Sequence, residues 1–320
     1  MKRLRCLLSL CMYSVFAVTA SAQTARFDAM YVFGDSLSDT GNDLILTKLI
    51  GLNPAVPPSK SPHRTYFEGR FSNGPISFEY LWRLIKQNDQ ARVLPSLVYA
   101  QPGRNRAISY AFGGATSAYF ATTPDGVPVP GLLSQVEAFR FGLLGRKPGQ
   151  RALFAIWIGS NDYVTTTPNP PDEVVRNIKR AIKRLYQIGG RHFVVLNLPD
   201  LGLIPAAQAQ GLGPVLSVVS RIHNALLAQA IAELSTTLPD IHITSIDVFT
   251  LGQSLLGSTI TAVPALETLV PNSSSCLLLN PATCPDVPLA LTQPFFYWDI
   301  EHPTTYIHGI LGRAMYDALR

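Results

Sequence analysis

Five short apolar stretches punctuate the chain: Met30–Phe33, Ile108–Phe112, Leu153–Ile158, Phe193–Leu198 and Ile241–Ile246. As a set they do not alternate polar with apolar positions. Strands that are apolar on both faces belong in a parallel sheet covered on both sides. Helical patterns separate them. The clearest follows Pro171, where Asp172 is the expected N-cap. Val174, Val175, Ile178, Ala181, Ile182, Leu185 and Ile188 then repeat at helical spacing up to Gly189-Gly190. Two more helices are expected over Val218–Leu234 and Tyr306–Leu319. Strands alternating with helices build βαβ units, so the pattern predicts a doubly wound α/β sandwich. The segment Leu251–Trp298 breaks the rhythm. It is long and rich in Pro, Ser and Leu, and it is read as an ordered loop within a single domain covering residues 23–320.

The N-terminus changes the picture of where the chain works. Lys2, Arg3 and Arg5 precede an almost wholly apolar run, Cys6 to Val18, and Ala20-Ser21-Ala22 then supplies small residues at −3 and −1 of a cleavage site. Residues 1–22 are therefore read as a signal peptide, cleaved near Ala22, with the mature protein secreted or periplasmic. Those 22 residues carry no acid, so three of the five net positive charges leave with them. What remains is not the basic surface that DNA or RNA requires, and no nucleic-acid partner is expected. Export also frames the cysteines. Cys6 and Cys11 fall in the leader, which leaves Cys276 and Cys284 as one expected disulfide. Arg176, Lys179, Arg180, Lys183 and Arg184 share the polar face of the helix after Pro171. That face reads first as solvated surface, with transient docking to an anionic membrane as the sharper alternative. Oligomeric state is not legible.

The chemistry gathers at the ends of the predicted strands, where open α/β sheets bind ligands. The first strand runs into Gly34-Asp35-Ser36-Leu37-Ser38-Asp39-Thr40-Gly41-Asn42. Ser36, beside a glycine that permits a tight turn, is placed as a nucleophile, although serine is also an ordinary helix cap. Of the six histidines, His302 alone has a carboxylate three residues earlier in a loop, Asp299. Pro303 is expected at the first position of the last helix. Asp299 holding one imidazole nitrogen while the other faces Ser36 would make a charge-assisted base. Glu301 is expected to face solvent. Two further strand ends offer oxyanion donors: Asn161 in Gly159-Ser160-Asn161-Asp162, and a backbone N–H in Gly113-Gly114-Ala115-Thr116, to join the N–H of Ser36. No metal-binding motif such as His-Glu-x-x-His occurs in the sequence, and no metal or cofactor is expected.

Taken together, Gly34–Asn42, the Tyr110–Thr116 turn, Gly159–Asp162 and Asp299–His302 resemble, in order, the blocks of a GDSL lipase/esterase of the SGNH hydrolase superfamily. The segment from Phe67 to Gly74 resembles the one that follows the first block in many members. The resemblance implies a flavodoxin-like three-layer α/β/α sandwich with a five-stranded parallel sheet. It implies Ser36 as nucleophile, His302 as base, Asp299 as its orienter, and Ser36, Gly114 and Asn161 as the oxyanion hole. Gly114 is preferred because Gly114-Ala115-Thr116 fits the family's glycine-small-small pattern, with Gly113 as the alternative. Asp35 and Asp162 are expected to bond loop backbone. The implied activity is hydrolysis of a carboxylic ester, of a lipid-like or otherwise apolar acyl type. Carbohydrate O-acetylesterase and lipid acyltransferase are the alternatives within that chemistry, and a non-catalytic surface-binding module is the alternative outside it. The apolar cluster Phe295-Phe296-Tyr297-Trp298, ahead of Asp299, is expected either to pack the loop end or to line an acyl site together with the rest of the 251–298 loop.

Overall fold

The computed structural model describes residues 27–60, 66–99, 101–165, 167–257 and 296–320. Residues 1–22, read as a signal peptide, and the expected disulfide pair Cys276 and Cys284 lie outside the described residues.

Six parallel strands form the central sheet: β1 (Ala29–Gly34), β2 (Val93–Pro95), β3 (Ala107–Ser109), β6 (Ala152–Trp157), β7 (His192–Leu196) and β8 (His242–Ile246). Their order is β2-β3-β1-β6-β7-β8. A separate antiparallel hairpin, β4 (Phe120–Thr122) with β5 (Pro128–Pro130), lies between β3 and β6 in the chain. Without β2 the order is the flavodoxin-like 2-1-3-4-5. The sixth strand corrects the expected five. It spans three residues and ends on Pro95, which has no N–H to donate, so it makes no apolar run and sits at an edge.

Helices cover both faces. On one side lie α2 (Ser77–Lys86) and α8 (Thr305–Ala318); on the other lie α3 (Leu132–Gly142), α4 (Pro171–Gln187) and α6 (Gly213–Thr237). Strand β1 shows why its sequence does not alternate. Tyr31 and Phe33 enter the core under α3 and α4, where Phe139 and Phe154 meet them. Met30 and Val32 enter the other core with Phe78, Leu81, Ile307 and Met315. Strand β8 is the exception: it is half exposed at the far edge, and its sequence, His242-Ile243-Thr244-Ser245-Ile246, is correspondingly more polar.

Several local expectations shift. Pro171 opens α4 and Pro170 is its cap, so Asp172 is a first-turn acid paired with Arg176 rather than the N-cap. The basic face of α4 is largely engaged: Lys179 pairs with Glu233, and Arg184 with Glu137. Helix α8 begins at Thr305, with Pro303 ahead of it in a β-bridge to Tyr297. The loop expected from Leu251 starts instead as part of α7 (Val248–Gly257). By length and composition α6 could cross a membrane, but Leu216, His223, Leu227 and Leu234 are buried in this fold and α6 packs on α4.

The segment after α1 (Asn42–Leu49) is fixed by a buried ion pair. Arg70 meets Glu79 through two hydrogen bonds, Nε to Oε2 at 3.2 Å and Nη2 to Oε1 at 2.7 Å. Glu79 also accepts the Ile76 N–H at the start of α2. Removing one partner of such a pair strands a buried charge. Arg70→Met is therefore expected to lower unfolding free energy by about 3 kcal/mol in urea denaturation. A loss below about 1 kcal/mol would show that this pair does not hold the segment.

Candidate active site

Strand β1 delivers Ser36 to the carboxyl edge of the sheet through a turn that needs Gly34. A Cβ there would stand 2.4 Å from the Trp157 carbonyl oxygen and 2.6 Å from Ser38 Oγ. Asp35 Oδ1 accepts the Leu37 N–H, and Asp39 accepts the N–H groups of Gly41, Asn42 and Asp43 at the start of α1. A carboxylate at that position suits the positive end of the helix. Asn42 Nδ2 then donates to the Ser109 and Ala111 carbonyls, both at 2.9 Å, which brings the end of β3 beside the serine turn.

The end of β6 is tied to the same place. Asn161 Nδ2 donates to the Ala115 carbonyl at 3.0 Å. Asp162 accepts from the Ser117 N–H, the Ser117 hydroxyl and Asn169 Nδ2. Asp35 and Asp162 thus bond loop groups as expected. Between the two candidate glycines the structure gives a reason to choose. Both glycines line the cleft with Ser36, but the Gly113 N–H is directed to the Asp39 carboxylate, which leaves the Gly114 N–H as the candidate donor.

The third contribution comes from the far end of the chain. His302 Nε2 is 2.8 Å from Ser36 Oγ, and His302 Nδ1 is 2.7 Å and 2.9 Å from the two Asp299 oxygens. Asp299 on Nδ1 fixes the proton there and leaves Nε2 to accept from the serine hydroxyl. Asp299 Oδ1 also takes the backbone N–H groups of Glu301 and His302, each at 2.8 Å. The turn is closed by Trp298 N–H to the His302 carbonyl and by Thr304 N–H to the Phe296 carbonyl. No other described histidine competes. His223 and His308 are fully buried, against the Tyr163 and Ser77 hydroxyls respectively, and burial pushes them down to about 4 and about 3. His63 lies outside the described residues.

Two residues were missed by sequence reasoning. Tyr66 donates its hydroxyl to Asp299 Oδ2 at 2.8 Å, and the Phe71 ring lies against His302 at 5.1 Å between centroids. Phe71 and Asn73 belong to the Phe67–Gly74 block, which the sequence marked without a role; Tyr66 immediately precedes it. The block is a cradle for the catalytic turn. Ser72 Oγ donates to the Pro303 carbonyl, Asn73 Oδ1 accepts the Thr305 N–H, and Gly74 passes so close that a Cβ would meet the Thr305 side chain at 2.7 Å.

Electrostatics separates the carboxylates. Burial pushes Asp299 up, but the charge and hydrogen bonds of His302, with two backbone N–H groups, outweigh it and hold Asp299 below the usual range. Burial likewise pushes His302 down, but Asp299, with smaller help from Glu301 and Asp35, raises it above 6.5. Asp35, buried without a cation of its own, is pushed up to about 7 by desolvation. The cleft in front of Ser36 holds ≈ 810 Å³ and reaches Gly114, Asn161, Glu301 and His302. Among the described residues its outer wall is the β4–β5 hairpin, and residues 258–295 of the loop expected to line an acyl site lie outside the described residues. Of that loop, the described residues Leu251, Leu255, Phe296 and Tyr297 line a separate apolar hollow, and Tyr297 and Trp298 are buried. Glu301 is exposed, as expected.

A serine, a histidine and an aspartate hydrogen-bonded in series at the carboxyl edge of a parallel sheet define the hydrolase class built on an activated nucleophile. Residues 30–315 match the GDSL-like lipase/acylhydrolase family, and the chain belongs to it: it is an ester-bond hydrolase. Among relatives, a phosphatidylcholine-sterol acyltransferase of Aeromonas hydrophila is 32% identical over 71% of this chain and 62% of its own. The match thus spans less than two thirds of that relative. A GDSL esterase/lipase of Arabidopsis thaliana is 26% identical over 96% of this chain and 92% of its own. A solved carbohydrate acetylesterase of Sinorhizobium meliloti superposes with a TM-score of 0.47 at 13% identity, covering 91% of this chain and 98% of that one.

The pH dependence follows from the raised His302. Its neutral form is the base, so kcat/KM should rise with pH through a midpoint above 6.5. The Tyr66 hydroxyl drains charge from Asp299, so Tyr66→Phe should strengthen the hold of Asp299 on the imidazolium and move the midpoint further up. A wild-type midpoint below 6.5, or a profile that Tyr66→Phe leaves in place, would contradict these assignments.

Proposed function

We propose that this protein is a secreted serine ester hydrolase that works through an acyl-enzyme on Ser36. The observation that carries the reading is the series Asp299–His302–Ser36, with contacts of 2.7 Å and 2.8 Å. Ser36 Oγ attacks the ester carbonyl carbon as its proton passes to His302 Nε2. The carbonyl oxygen becomes an oxyanion held by the N–H groups of Ser36 and Gly114 and by the Asn161 amide. Collapse expels the alcohol, which takes the proton from His302. Water then attacks the acyl-enzyme, His302 accepts its proton, and the carboxylic acid leaves as Ser36 is restored. Asp299 stays ionised throughout and stabilises the imidazolium.

The preferred substrate is a lipid-like or otherwise apolar acyl ester. A narrow hollow of ≈ 40 Å³ beside Ser36, in which Leu37, Val164, Pro199, Leu201 and Ile204 join Asp35, Ser160 and Glu301, suits the first carbons of an acyl group. The broad cleft on the other side then receives the alcohol. Transfer of the acyl group to an alcohol instead of water is a second reading, supported by the name of the Aeromonas hydrophila relative. Carbohydrate O-acetyl hydrolysis is a third, favoured by Thr116, Thr122, Thr123, Thr165, Thr167 and Asn169 along the broad cleft. The intact Ser36, Asn161, Asp299 and His302 argue against a non-catalytic binding module. Secretion rests on residues 1–22, and a Cys276–Cys284 disulfide would accord with it.

Ser36→Ala is expected to fold normally and to lose nearly all hydrolysis of p-nitrophenyl esters. Retention of more than about a tenth of wild-type kcat would refute the nucleophile, since such units show losses on the order of 10⁶. Asn161→Ala is expected to lower kcat by roughly 10²-fold with a smaller change in KM. Comparing p-nitrophenyl esters of increasing length with a phospholipid and an acetylated sugar decides the acyl class: preference for acetyl esters alone would overturn the apolar reading.

A further inference from the structure

The turn that carries Asn161 is held from two sides. On the side of β3, Asn161 Nδ2 donates to the Ala115 carbonyl and Asp162 binds the Ser117 N–H and hydroxyl. On the other side stands α6. Most of that helix is apolar, yet Ser217, Ser220, His223 and Asn224 form a polar seam at helical spacing. Three of them tie down the turn after β7. Ser217 donates to Asp200, Ser220 Oγ accepts the Leu201 N–H at 3.1 Å, and Asn224 makes two hydrogen bonds of 2.9 Å to the Leu198 backbone. His223 reaches instead to the turn after β6, where Asn161 sits.

Its imidazole touches that turn at both ends. The Tyr163 hydroxyl, just past the turn, is 2.8 Å from His223 Nδ1, and the two rings meet edge to face at 5.7 Å between centroids. At the other end, a Cβ on Gly159 would stand 3.1 Å from His223 Cε1. Between these contacts lie Ser160, Asn161 and Asp162, closed by the Tyr163 N–H to the Ser160 carbonyl at 3.1 Å. Tyr163 and His223 are both buried, and His223 Nε2 has no hydrogen-bond partner among the described residues. An apolar ring in that place would avoid the cost of an unpartnered polar atom; what the imidazole adds is the contact with Tyr163.

Resting on the serine-hydrolase reading, we propose that His223 is a positioning residue for the oxyanion hole: through Tyr163 and Gly159 it fixes where the Asn161 amide stands. Neither His223 nor Tyr163 lines the broad cleft or the narrow hollow, so the pair acts through the turn alone. An oxyanion donor is effective when it already stands where the charge develops, with no reorganisation left to make. Asn161 commits one amide N–H to the Ala115 carbonyl and has one other to offer, so a shift of the turn misaims the only donor available. A displacement on the order of 1 Å at such a group costs roughly 10²-fold in rate. Ground-state binding draws on the rest of the cleft, so the contact with Tyr163 is felt in kcat rather than in KM.

The test is a mutant cycle read in kcat and KM on p-nitrophenyl acetate. Tyr163→Phe removes one hydroxyl from a buried ring and is expected to lower kcat about tenfold with KM nearly unchanged. His223→Phe should match it, and the double variant should lose no more than either alone, since both break the same contact. His223→Asn, which returns a polar atom near the place of Nδ1, should recover most of the rate. The decisive arm is the Asn161→Ala background. There Tyr163→Phe should have almost no further effect, because the donor it aims is gone; a merely structural role would lower kcat there as much as in the wild type. If the His223 variants fail to fold, Tyr163→Phe with and without Asn161→Ala still decides. Unchanged kcat in Tyr163→Phe, a change confined to KM, or an undiminished loss in the Asn161→Ala background overturns the proposal. A wild-type protein that hydrolyses no ester would instead count against the hydrolase reading beneath it.

Discussion

The 2.8 Å contact between Ser36 Oγ and His302 Nε2 joins residues 266 positions apart, and most of the architecture is arranged to make it. In a parallel sheet every strand ends on the same edge, so β1, β3 and β6 deliver their following turns to one place. Strand β1 lies between β3 and β6, where the direction of winding reverses and a crevice opens above the strand ends. The histidine does not come from a strand. It comes from the turn before α8, and α8 packs beside α2 on the face opposite α3, α4 and α6. The Phe67–Gly74 segment closes the gap between these parts by holding Pro303 and Thr305 with hydrogen bonds while Phe71 seats the imidazole.

Carboxylates do most of the electrostatic work, and their surroundings divide them. Asp299 has a cationic partner and is held below its ordinary range; Asp35 and Asp43 have none and are pushed up to about 7 and about 8. The raised acids bind protons in the folded state that the unfolded chain gives up near 3.8, so stability falls as pH climbs from that value toward 7 and 8. The raised His302 acts in the same direction. Its contribution is full below 6.5 and is lost as pH rises through its higher folded value. Asp299 contributes above its unfolded value and loses that contribution only in strong acid. The pH range in which the base becomes neutral is therefore the range in which the site costs the fold most, the compromise expected where groups are positioned for chemistry.

Much of this was legible in the chain. The five main strands, the helix after Pro171 and the last helix follow from apolar runs and helical periodicity, while the convergence of Ser36, Asn161, Asp299 and His302 was implied by the resemblance of the four ordered blocks to the GDSL lipase/esterase family. What escaped did so for identifiable reasons. Strand β2 is three residues long and ends in proline, so it leaves no periodic trace. Asp172 has the right chemistry for a cap, but the proline before it already opens the helix. The resemblance preferred Gly114 over Gly113, but that the Asp39 carboxylate engages the Gly113 N–H, a contact across more than seventy positions, could not be read from the chain. Tyr66 and Asp43 escaped because a tyrosine in a loop and an aspartate in a first helical turn are commonplace. Only the packing shows that one touches Asp299 and that the other is buried against the cleft.

The most direct test of the central claim is covalent. A fluorophosphonate ester reacts with a serine only when a base activates it and an oxyanion hole receives the phosphoryl oxygen. Incubation of the mature protein, followed by peptide mass spectrometry, should show one adduct per chain, on the peptide bearing Ser36. His302→Ala should abolish labelling while leaving the circular dichroism spectrum unchanged. Labelling of a different serine, or equal labelling of Ser36 without His302, would contradict the account.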